Sequence, residues 1–336
     1  MFRPVRRLAL GLALGCTLLT GYVATSIRQA PITDAASRVV TFVTDIGGLN
    51  DNGFNHLGYL GTQTGASATG YTPKFIETTS SSDYAKNLTT AAQQSHIVVA
   101  VGFSFAQALQ TVSAKYPKVH FAIIDFNYAP SLKLNNVLGN IFKPEQSSYL
   151  AGILAAGISK THTVGFIGGV NVPLIKAFGV GFAAGAKSYD PSVKVLTTYT
   201  NSFTDQSAGR VAALSEINQG ADVVYPAAGG SGLGSLSAAN QKHVYAIGVD
   251  ADQNFLYPHT IVTSVVKHVE VAVANAIRLD AAGAFKSGTL YYDLKNNGVG
   301  LAPYHSLASI VPAKVQTAIA KARKGIVAGD ITVPVQ

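Results

Sequence analysis

The residues best suited to chemistry lie in one short run, Thr44 to Asn55, which reads Thr-Asp-Ile-Gly-Gly-Leu-Asn-Asp-Asn-Gly-Phe-Asn. A carboxylate at Asp45, an amide at Asn50 and a ring at Phe54 can hold a small molecule by hydrogen bonds and a flat apolar face. Gly47 and Gly48 permit a sharp turn and close backbone approach, and Asp51 can cap the helix that follows. The chemistry implied is recognition. The same residue types also build a capped strand-to-helix turn that binds nothing, for conformational reasons alone.

Bond-making chemistry has one candidate. Gly102-Phe-Ser104-Phe-Ala106 resembles the nucleophile elbow of a hydrolase, and Asp250 followed by His259 or His268 gives the matching chain order for a triad. Ala106 replaces the elbow's last glycine, however, and no oxyanion-type glycine run precedes it. An extracytoplasmic hydrolase centred on Ser104 is therefore the alternative from another class. Gly179 to Gly185 approximates a dinucleotide fingerprint but lies inside a helical pattern, where small residues serve close helix packing. Gly229-Gly-Ser-Gly-Leu-Gly234 follows a strand but lacks the Lys-Ser/Thr ending of a nucleotide-hydrolysing loop. No His, Cys or carboxylate grouping has metal-ligand spacing, and neither a metal nor an organic cofactor is expected.

The elements that must position these residues alternate. Strand-like runs at 39–44, 74–76, 97–101, 121–125, 164–167, 193–198, 222–225 and 245–249 are separated by helical stretches near 52–68, 84–95, 105–116, 145–160, 175–188, 205–219 and 232–241. Such alternation predicts parallel sheets with helices on both faces. Two series, split near Asn140, predict two similar α/β lobes, and a long amphipathic helix from Thr260 to Ala282 is expected to carry the chain back to the first. The strands end in Asp45, Gly102, Asp125, Gly168, Gly229 and Asp250, so both lobes turn polar loops toward a shared crevice.

At 336 residues, with 48% hydrophobic and 12% charged residues, the chain can bury two cores and is too apolar for disorder. Arg3, Arg6 and Arg7 before the apolar run Leu8–Leu14 read as an export signal, too short to span a membrane. The single cysteine, Cys16, follows Ala13-Leu14-Gly15, which resembles a lipobox, with Ala13 where Leu is preferred. Lipidation at Cys16 is the expectation; cleavage near Ala24 or Ala30 is the alternative. The formal charge of +8 comes from scattered Lys and Arg without interleaved aromatics, so no nucleic acid is expected as partner. Lys314, Lys321, Arg323 and Lys324 fall on one C-terminal helix as a solvated or membrane-facing patch.

In order along the chain, Asp45 to Asp51 with Phe54 and Asn55, Phe121 to Asp125, Phe142 with Ser148 to Ala156, Ala227 to Gly230, Ile247 to Asp250 with Gln253, Thr263 to Lys267, and Leu294 to Gly300 resemble the basic membrane protein family. These are purine nucleoside-binding lipoproteins of ABC importers. The resemblance implies the type I periplasmic binding protein fold: a signal and tether over 1–30, a first lobe of 39–140 plus 262–290, and a second of 141–261 plus 291–336, joined by a multi-strand hinge. It implies that Phe54 and Phe203, one from each lobe, stack on the base. Asp45, Asn50 and Asp125 would read the base edge and Asp250 would take the ribose hydroxyls. Gly229 or Gly230 would offer backbone groups, and Lys267 would reach in from the crossover helix. Three Asp against one Lys, with no Arg assigned, would repel a phosphate and favour a neutral nucleoside. An ABC permease and its ATPase are the implied partners, with a lipid-anchored or periplasmic location. A sugar or other small polar solute is the alternative within binding proteins.

Overall fold

The computed structural model describes residues 38–336; the signal and Cys16 lie outside the described residues. The chain begins with β1 (Val39–Val43), α1 (Phe54–Thr69), β2 (Thr72–Ile76), α2 (Tyr84–Gln94), β3 (Ile97–Val101), α3 (Ala106–Lys115), β4 (His120–Ile124) and β5 (Val137–Phe142). It continues with α4 (Pro144–Ile158), β6 (Thr163–Gly168), α5 (Pro173–Tyr189), β7 (Lys194–Tyr199), α6 (Gln206–Asn218), β8 (Val223–Ala227), α7 (Gly229–Lys242), β9 (Tyr245–Asp250) and β10 (Ile261–Lys267). It closes with α8 (Val269–Ala281), β11 (Gly288–Tyr292), β12 (Val299–Leu301) and α9 (Ala313–Ala328).

Two six-stranded sheets result, ordered β11-β5-β4-β3-β1-β2 and β12-β10-β9-β8-β6-β7. Every pairing is parallel except β10 with β12. The central strands carry the signature of sheets covered on both faces: Ile97-Val-Val-Ala-Val101 is buried throughout, as is Val223 to Ala227. Helices of each lobe approach one another through glycine. In α4 and α5 a Cβ on Gly152 would stand 2.0 Å from the Phe182 carbonyl oxygen, and one on Gly185 would stand 1.9 Å from that of Tyr149. The run Gly179–Gly185 therefore does pack helices. Among the described residues no helix is long and apolar enough to cross a membrane.

Two expectations are corrected. Thr260–Ala282 is not one helix: the β-branched run Ile261-Val-Thr-Ser-Val-Val266 forms strand β10 beside β9, and α8 begins only at Val269. The return crossing therefore comes after Lys267 rather than at 262, and Lys267 ends a strand instead of riding on a crossover helix. Asn140, the expected lobe boundary, lies inside β5, so the first crossing comes after Phe142. Gly139 and Asn140 interrupt the apolar pattern of β5 for packing reasons. A Cβ on Gly139 would meet the Phe126 carbonyl oxygen at 2.6 Å, and the buried Asn140 amide donates to the Ile123 carbonyl oxygen at 3.3 Å. A third crossing joins β11 in the first sheet to β12 in the second.

Candidate functional site

Each sheet reverses its strand order beside its first strand, between β1 and β3 in one lobe and between β6 and β8 in the other. Loops at the carboxyl ends of strands on either side of such a reversal cannot cross over each other, which leaves a crevice for a ligand. The two crevices open onto one cleft with an empty volume of about 610 Å³, its mouth included. Asp45, Phe54, Asp125, Phe203, Gly229, Gly230, Asp250 and Lys267 all stand on its walls.

The loop after β1 is organised by three side chains, those of Asp45, Asp51 and Asn55. Oδ1 of Asp45 accepts from the Gly47 backbone N–H and from the Asn55 amide, each at 2.8 Å. Asn55 returns the contact by accepting from the Asp45 N–H at 3.1 Å, and its amide also donates to Asp51 Oδ2 at 3.0 Å. Asp51 in turn accepts from the backbone N–H groups of Gly53, Asn55 and His56, which satisfies the first turn of α1 as a cap should. Burial pushes the Asp45 carboxyl up; the Gly47 and Asn55 donors oppose this, and the Asp51 and Asp125 carboxylates reinforce it.

Asp125 and Asp250 follow β4 and end β9, the fourth strand of each series, and both adopt left-handed backbone with φ of 66° and 62°. Non-glycine residues rarely hold this conformation, and strain of this kind collects at functional sites. Lys267 stands between them, buried, with Nζ 2.6 Å from Asp125 Oδ2 and 3.8 Å from Asp250 Oδ1. Its ammonium also lies 4.4 Å from the Phe54 ring centroid and 5.3 Å from that of Phe142. Because Lys267 ends a strand of the second sheet and Asp125 follows one of the first, this ion pair crosses the cleft. Burial raises the Asp250 carboxyl to about 6; Lys267 opposes the shift and the nearby Asp125 carboxylate adds to it. Oδ1 of Asp125 and Oδ1 of Asp250 are buried without a hydrogen-bond partner among the described residues. Buried acceptors of this kind are costly unless a donor reaches them.

The apolar walls come from both lobes. Phe203, in the loop after β7, packs where a Cβ on Gly169 would come within 2.3 Å of its ring, and its carbonyl oxygen accepts from the Ser231 N–H at 3.2 Å. Gly229 and Gly230 thus leave room for Phe203 as well as exposing backbone at the start of α7. Leu174, Ile175 and Phe178 extend this wall.

Asn50 is not brought to the cleft; it is exposed, while Asn55 lines the wall instead. Asn55 was legible as part of the motif, but its role depends on a turn that folds it back onto Asp45. Phe103, Phe178, Leu174 and Ile175 gave no polar signal and were missed as wall residues. Ser104 is exposed, and its hydroxyl has no hydrogen bond to His259 or His268; His268 pairs with Glu270 at 2.7 Å, and Asp250 faces Lys267. No metal-binding cluster of three or more His, Cys, Asp or Glu occurs among the described residues.

Residues 38–336 match the family described as ABC transporter substrate-binding protein, PnrA-like. A protein named ABC transporter nucleoside-binding protein BmpA, from Lactococcus lactis subsp. cremoris, is 35% identical over 87% of this chain and 88% of its own length. Basic membrane protein A1 of Borrelia garinii is 32% identical over 71% of this chain and 72% of its own. Among solved structures, an ABC transporter solute-binding protein from Aeropyrum pernix superposes with a TM-score of 0.80 at 25% identity, covering 88% of this chain and 94% of the other. The two parallel-sheet lobes, the shared cleft and these likenesses agree, and the chain belongs to the PnrA-like, basic membrane protein family of ABC transporter substrate-binding proteins.

Proposed function

We propose that the cleft captures a purine nucleoside and holds it, chemically unchanged, for delivery to the membrane permease. Substrate-binding proteins of ABC transporters work outside the cytoplasm and hand small ligands to a permease driven by an ATPase. The observation that carries the nucleoside reading is that Phe54 and Phe203, one from each lobe, line the same cleft as buried carboxylates from both lobes. Phe rings favour a flat heterocycle, and stacking on one contributes about 1–3 kcal/mol per base. In this reading Asp45 and Asp125 accept from base N–H groups, and Asp125 Oδ1 has no other hydrogen-bond partner among the described residues. Oδ1 of Asp250, without a hydrogen-bond partner among the described residues, suits a vicinal diol.

Charge narrows the ligand further. Among the described wall residues Lys267 is the one cation, against Asp45, Asp51, Asp125 and Asp250, so a phosphate would meet repulsion. Capture follows as hinge closure: the lobes approach, water leaves, and hydrogen bonds to the carboxylates strengthen in the drier cleft. Lipid at Cys16 would keep the protein beside its permease. Calorimetric titration of the refolded, ligand-stripped protein with adenosine, guanosine, inosine, cytidine and ribose tests this. Submicromolar purine nucleoside binding without turnover is expected. Binding of ribose alone, or of none of the five, overturns the assignment.

A further inference from the structure

Phe103, a wall residue of the cleft, stands where the first lobe meets the second. It opens the short 3-10 turn Phe103–Phe105 directly after β3, beside the strand-order reversal, where Gly102 holds a φ of 118°. A Cβ on Gly102 would lie 3.2 Å from Asp45 Oδ2 and 3.6 Å from the Phe54 ring, so this turn is seated against two groups assigned to the ligand. From that position the Phe103 ring meets Phe203 of the other lobe edge-to-face, with centroids 6.3 Å apart and planes at 72°. Both rings are half-buried and both line the cleft. Phe203 cannot retreat far, because Gly169 and the start of α7 hold it from behind.

We propose that Phe103 is a specificity-determining residue: it closes against Phe203 as an aromatic gate over one edge of the bound base and rejects ligands carrying a bulky group there. This rests on the nucleoside reading above. An edge-to-face aromatic contact contributes about 2- to 12-fold to an equilibrium constant. Full closure of a two-state hinge takes about 10⁴-fold of differential binding. The gate is therefore too weak to close the lobes by itself, and its larger effect falls on which ligands allow closure.

The test compares wild type, Phe103→Ala, Phe103→Leu and Phe103→Tyr for adenosine and for adenosines bearing a phenyl or benzyl group at N6, C2 or C8. Wild type should bind adenosine and discriminate against the substituted forms. Phe103→Ala and Phe103→Leu should lower that discrimination at least tenfold for one of the three edges, while Phe103→Tyr retains it. Unchanged discrimination at all three edges in the two folded variants overturns the proposal. Melting temperatures of Phe103→Ala, Phe203→Ala and the double variant, all without ligand, separate this from the ligand assignment. If wild type binds no nucleoside, the ligand reading fails alone, and non-additive shifts then support the gate while additive shifts overturn it.

Discussion

A carboxyl raised to about 6 by burial, as Asp250 is, spends physiological pH near its own titration, and a ligand that donates hydrogen bonds to it must find it ionised. The sign follows directly. Bound diol hydroxyls favour the carboxylate, so the bound state has the lower pKa, and affinity is full above about pH 6 and falls by up to about tenfold per pH unit below it. Titration with adenosine at pH 7.5 and pH 5 should therefore show wild type weakening severalfold. Asp250→Asn should bind more weakly throughout and lose most of this pH dependence; an unchanged slope in that variant removes Asp250 from the contact. At this scale the sequence disclosed the donor and acceptor types well, because carboxylates and glycines after strands are few. It misassigned the amide of the first loop, since Asn50 and Asn55 are equivalent in the sequence. Only the capping turn around Asp51 decides that Asn55 folds inward. The aromatic and aliphatic wall was hidden for the opposite reason: Phe103 and Phe178 look like any core residues until their direction is known.

Helix α6 carries a glutamate where its pattern calls for an apolar residue. Glu216 is fully buried against the second sheet, with neither carboxyl oxygen hydrogen-bonded among the described residues, and Gly165 opposite leaves the space it fills. Burial pushes its carboxyl up to about 8, against an ordinary value of 4.5, with the Thr198 side chain opposing the shift. The folded state thus keeps a proton that the unfolded chain releases. The stabilisation is full below about pH 4.5, declines by up to about 1.4 kcal/mol per pH unit as pH rises toward 8, and is gone above it. Glu216→Gln should match wild type near pH 5 and exceed it in urea midpoint at pH 8. Equal gaps at both pH values would show that Glu216 is hydrated or ionised in the native state. Element types were read correctly where periodicity was uninterrupted, as in β3 and α2. They were lost where packing overrode pattern, as with Gly139 and Asn140 in β5. The β10 strand was lost differently, because its apolar run continues without a turn signal into α8 and the two periods blurred together.

Among the described residues three chain crossings join the lobes, and the cleft adds contacts that hold only while the lobes are near. Lys267 reaches Asp125 at 2.6 Å, the Gln253 amide donates to the Asn52 carbonyl oxygen at 3.1 Å, and Phe103 meets Phe203. Of these the ion pair alone is both buried and charged, so burial's desolvation cost offsets part of its attraction. Its effect on the hinge differs from its effect on folding. Opening returns both charges to water, so separation is far cheaper than removing one partner inside the closed cleft, which costs about 3–5 kcal/mol. Lys267 is therefore expected to act as a reversible strut between the lobes. Asp125→Asn keeps a hydrogen-bonding group of the same size but weakens the pairing. The ligand-stripped variant should scatter X-rays with a larger radius of gyration than stripped wild type, and Lys267→Met should do the same. Both should contract on adding enough ligand to saturate, because ligand contacts then supply what the strut supplied. If both variants match wild type without ligand, the pair does not bias the hinge, and closure must be driven by ligand contacts alone.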